Sequence, residues 1–88
     1  MDIKQAIKLI EEEYHESNRK HPKPYHSYHE AIGLLEEEFS ELKAEIFRKE
    51  AEQNPRKIAH EAKHVANVAL KTMMMAMKEA ERMAGKKQ

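Results

Sequence analysis

Eighty-eight residues allow one domain, and 16 Lys plus Arg balanced by 16 Asp plus Glu leave no net field to draw the chain to a nucleic-acid polymer. The chain has no cysteine, which excludes disulfides and thiolate chemistry, and no segment approaches the ~20 apolar residues that cross a bilayer. With 36% charged residues and only two glycines, the composition suits long amphipathic helices, so an all-α fold without a membrane partner is expected.

Asp2 can cap a first helix over about residues 2–18, in which Ile3, Ala6, Ile7, Ile10 and Tyr14 share a narrow apolar face. Acidic residues interrupt this segment where a secretory signal needs a continuous apolar run, so a cytoplasmic protein is expected. His21-Pro22-Lys23-Pro24 removes two backbone donors and favours extended conformations, which makes about 19–27 a linker. Ser27 and Glu30 fit a capping box that opens a second helix over about 28–52, with the glutamate reaching back to the cap residue. Ile32, Leu35, Phe39, Leu42 and Ile46 form its heptad-like seam.

Asn54-Pro55 reads as an N-cap with proline at the first helical position, opening a third helix over about 55–84. Its stripe is Ile58, Ala62, Val65, Ala66, Ala69, Met73, Ala76 and Met77, and Gly85 is its expected stop, with Lys86 and Lys87 beyond. The short break makes helices two and three an antiparallel pair, with helix one packed across them in a three-helix subunit. So small a core calls for a homodimer or homotetramer to complete the bundle. Met73, Met74, Met75 and Met77 cover too much of the helix circumference to face one neighbour, which favours a subunit interface there.

Glu38, Glu41 and Glu45 recur three and four apart and line one strip beside the seam. Their mutual repulsion is relieved by a hard divalent cation such as Mg²⁺, and antiparallel pairing brings Glu61 of the third helix toward the same strip. The plain alternative is a solvated acidic face on a helical interaction module, whose methionine stripe binds a partner.

The stretch HEAIGLLEEEFSEL, with E-E-x-x-E-L at Glu37 to Leu42, is followed by Glu61-x-x-His64, with nineteen residues between Glu41 and Glu61, within the run EAKHVANVALK. In these features the segment from about His21 to Met75 resembles the MazG-like all-α nucleoside triphosphate pyrophosphatases. The resemblance implies hydrolysis of a nucleotide between its α- and β-phosphates, with Mg²⁺ held by Glu38, Glu41, Glu61 and the position of His64. It implies a general base at Glu37 or Glu45, and substrate contacts from Lys63, Lys71 and His29. The family has an aspartate where this chain has His64, and imidazole suits Mn²⁺, Zn²⁺ or Ni²⁺ better than Mg²⁺. A relative that binds nucleotides with little turnover is therefore an expectation of the same class.

His60-Glu61-Ala62-Lys63-His64 also matches H-E-x-x-H, the zinc peptidase pattern. Lys63 beside the metal, the short chain, and Glu79 and Glu81 as the only downstream acids argue against a peptidase. Adventitious Zn²⁺ or Ni²⁺ between His60 and His64 is the simpler reading. His15, His21, His26 and His29 gather around the linker with Tyr25 and Tyr28, where they either pack a loop or stack on a nucleotide base.

Overall fold

The computed structural model describes residues 1–86, and the side chains of residues 1–85. Three α-helices follow in order, α1 (Ile3–Lys20), α2 (Tyr28–Ile46) and α3 (Pro55–Lys86), with a single 3-10 turn at Glu50–Glu52 before α3 and no strand among the described residues. None of these helices is long and apolar enough to cross a membrane.

Each helix start is set by its own short sequence. The Asp2 carboxylate accepts the Gln5 N–H at 2.9 Å, while the Gln5 side chain accepts the Asp2 N–H at 2.8 Å, a reciprocal box. Ser27 Oγ accepts the Glu30 N–H at 3.1 Å, but the Glu30 carboxylate reaches the His26 N–H at 3.3 Å, one residue before the cap residue expected to meet it. Asn54 Oδ1 accepts the N–H groups of Arg56 and Lys57 at 3.0 and 3.3 Å, with Pro55 at the first helical position.

The helix ends differ from the sequence-based bounds. α1 runs to Lys20, where the His21 N–H closes on the Ser17 carbonyl at 2.8 Å and Pro22 forbids continuation. α2 stops at Ile46, well short of residue 52. Residues 48–54 carry no apolar face to hold a further turn against α3, and the Gln53 side chain donates to the Ile46 carbonyl at 2.9 Å, satisfying a terminal acceptor. Gly85 does not stop α3, because no glycine takes the left-handed conformation such a cap requires. Lys87, expected just past the helix end, lies outside the described residues.

Side-chain pairs fix the directions. Glu13 meets Lys63 and His64, and Ser17 meets Asn67, so α1 runs parallel to α3. Tyr25 meets Lys71 while Glu38 meets His64, so α2 runs antiparallel to α3. α1 packs on α3 and not on α2, which corrects the expectation of a helix laid across both. The reason is that residues 63–68 of α3 are all buried or half-buried, presenting two faces that each take one helix.

The seam expected on α2 is also rotated. Ile32, Phe39 and Ile46 are exposed, whereas Ala31, Leu34, Leu35, Glu38, Leu42 and Glu45 turn inward. Among the described residues the buried apolar side chains are only Ala31 and Val68, joined by the polar Asn67 at 5% exposure. Asn67 Nδ2 donates to Ser17 Oγ at 3.1 Å, a polar tie between α1 and α3. At ~1.5 Å per residue, α3 outruns both neighbours, so Met73, Met74, Met77 and Met83 lie exposed on its overhang.

Candidate metal centre

α2 and α3 face each other where two acidic motifs cross. Glu38 and Glu41 stand one turn apart on α2, Glu61 and His64 one turn apart on α3, and one donor atom from each of the four lies within 4.8 Å of the others. His64 Nδ1 is 3.5 Å from Glu38 Oε2 and 3.6 Å from Glu61 Oε2. On its other edge, His64 Nε2 lies 3.6 Å from Glu13 Oε1 of α1, which also faces Lys63 Nζ at 3.6 Å. These separations exceed those of good hydrogen bonds, so the groups act on one another through charge.

Two carboxylate oxygens in this cluster, Glu38 Oε2 and Glu61 Oε2, are buried without a hydrogen-bond partner. Burying an acceptor unsatisfied costs about 1–3 kcal/mol, more for a charged one. The Glu38 carboxyl is held above the usual range by burial first, and then by the adjacent charge of Glu41, with His64 pulling the other way. A divalent cation would answer both defects, by coordinating the orphaned oxygens and by neutralising the crowded charge. Three carboxylates and one imidazole nitrogen form a donor set that fits Mn²⁺ or Zn²⁺ at least as well as Mg²⁺.

Beside the cluster opens a groove of about 1190 Å³, lined in part by Tyr25, His26, Glu37, Glu38, His64 and Lys71. Lys71 Nζ is 5.9 Å from the centre of the Tyr25 ring. Burial draws the Lys71 ammonium below its ordinary value, opposed by Glu13, and burial raises the Tyr25 hydroxyl, assisted by Glu30 and Glu38.

The structure gathers some of the sequence-derived candidates and separates others. Glu38, Glu41, Glu61 and His64 come together, Glu37 and Lys71 line the groove, and Lys63 turns to Glu13. Glu45 is paired with Arg48 at 3.1 Å, which engages its carboxylate away from a role as base. His29 is exposed and absent from the groove lining, which removes the basis for a substrate contact there. Glu13 is not among the sequence-derived candidates, although it falls three residues after Ile10 and four before Ser17 on the face of α1 that packs on α3.

His60 is exposed, its ring 4.3 Å from that of His64, and His60, Glu61 and His64 form a second group of donors within 4.8 Å. The acids downstream of the H-E-x-x-H pattern are Glu79 and Glu81. Both lie at least 15 residues further along the same unbroken helix, about 22 Å away. Comparison of the chain with protein-family models, curated proteins and solved structures finds no significant match in any of the three.

Proposed function

We propose that this chain is a MazG-like, metal-dependent nucleoside triphosphate pyrophosphohydrolase, acting between the α- and β-phosphates. The observation that carries the reading is the convergence of Glu38, Glu41, Glu61 and His64 from two helices, with two buried carboxylate oxygens lacking any partner. In this reading those four side chains hold the divalent ion, which supplies phosphate neutralisation and an acidified water. Glu37 and Lys71 both line the groove; in the same reading Glu37 takes the water's proton and Lys71 meets a phosphate oxygen. Tyr25, half-buried in the groove lining with Lys71 over its ring, would be the aromatic group that meets a base.

The position of His64 favours a second reading. The His64 imidazole lies within 3.6 Å of Glu13, Glu38 and Glu61, close enough to tie the cluster together without a metal, and the chain would then be a helical interaction module. Incubation with a panel of nucleoside triphosphates and Mg²⁺ or Mn²⁺, following pyrophosphate release, tests the reaction. Release that disappears in Glu38→Gln and Glu61→Gln supports the enzyme. A blank panel with metal-dependent nucleotide binding supports a binding relative, and indifference to both metal and nucleotide supports the module.

A further inference from the structure

The outward face of α2 carries a pattern its own fold does not use. Tyr28, Ile32, Leu35, Phe39, Leu42 and Ile46 recur in steps of four, three, four, three and four, the spacing of a coiled-coil seam. At ~100° per residue, the line through Tyr28, Ile32, Phe39 and Ile46 lies about 85° from the centre of the face that packs on α3. Accordingly these four side chains are 50%, 49%, 54% and 43% exposed, while Leu35 and Leu42 straddle the two faces half-buried. α1 packs elsewhere and does not cover this strip.

The molecule as a whole also exposes more surface than a compact chain of its mass. Its accessible surface is 7362 Å², where a compact monomer of 10.3 kDa exposes roughly 5400 Å². The excess of roughly 2000 Å² is what a large obligate interface removes from each subunit. The radius of gyration, 15.6 Å, likewise exceeds the ~12 Å of a compact chain of this length.

We propose that the outer α2 strip is the contact face for a second copy of this chain, paired antiparallel about a two-fold axis near Phe39. The flanking charges select this arrangement. Exposed Glu36 and Lys43 lie on the same side of the strip and almost equidistant from Phe39, so an antiparallel two-fold sets Glu36 of each copy beside Lys43 of the other, twice. Glu38, the flanking position a parallel pair would use against Lys43, is already turned toward α3. Glu37, on the groove wall, points about 165° away from the strip, so the pairing leaves the groove open.

Light scattering across the micromolar range should give twice the 10.3 kDa chain mass. Glu36→Lys should weaken the dimer about tenfold at low salt, since it turns two attractions into repulsions, and Glu36→Lys with Lys43→Glu should restore it. Because the chain has no cysteine, Phe39→Cys offers a single thiol near the axis and should cross-link efficiently through a short bismaleimide. A monomer mass throughout, failure of the double exchange to restore pairing, or cross-linking through Met77→Cys on α3 in preference to Phe39→Cys overturns the proposal.

Discussion

Glu38 of α2 and Glu61 of α3 each bury one carboxylate oxygen without a hydrogen-bond donor, and both oxygens face the same ring nitrogen, His64 Nδ1, at 3.5 and 3.6 Å. Two like charges drawn to one point between helices form an arrangement that folding alone disfavours. The strain between them is where the chemistry of this chain is most exposed to experiment.

Divalent metal should stabilise the protein. A ligand present at about 100 times its Kd adds about 2.7 kcal/mol, which for a domain of this size raises Tm by on the order of 10 °C. Thermal melts with Mn²⁺ or Mg²⁺ should show the rise, and Glu38→Gln and Glu61→Gln should each remove most of it. Equal rises in wild type and both variants would place the ion elsewhere.

His64 should set which metal is preferred. With one imidazole among three carboxylates, Mn²⁺ should be bound more tightly than Mg²⁺. His64→Asp makes the donor set all-oxygen and should shift the preference toward Mg²⁺, as read by competitive titration calorimetry. An unchanged ratio of affinities would show that His64 does not ligate.

In metal-free buffer, stability should decline as pH rises from the ordinary glutamate value, about 4.3, through the raised value of Glu38. The folded carboxyl holds its proton more tightly than the unfolded one, so within that window the folded state binds more protons and loses its advantage as they leave. Urea unfolding at successive pH values should show this decline in wild type and a flatter profile in Glu38→Gln. Parallel profiles would mean that burial and Glu41 do not raise Glu38.

Ser17→Ala should loosen α1. It leaves the amide of the buried Asn67 without the Ser17 Oγ acceptor, at a cost of about 1–3 kcal/mol. The destabilisation should appear in chemical unfolding, together with faster amide exchange along α1. A change no larger than that of Ser40→Ala, an exposed serine on α2, would count against the tie.

Local order was legible because it depends on neighbours in the chain. Asp2, Ser27 and Asn54 announce the three helix starts, since each cap oxygen meets amides two or three residues away. Helical spacing put Glu38 and Glu41 on one strip and the short connection brought Glu61 toward it, although simple register favoured Glu45; His64 entered the set only through the family resemblance. Glu13 was not legible, because an acid on the packing side of α1 gains meaning only when His64 and Lys63 stand opposite it.

By itself, then, the sequence determined that the chain is helical, where each helix begins, and which acidic residues share a strip, all consequences of contacts within a few residues. Only the tertiary structure decided that α2 turns Glu38 rather than Phe39 toward α3, and that α1 packs on α3 alone. Periodicity defines which side chains share a face, but the angle at which a helix meets its neighbour is set by the whole packed interface. On α2, whose apolar arc is wider than one neighbour covers, that angle leaves half the seam outside.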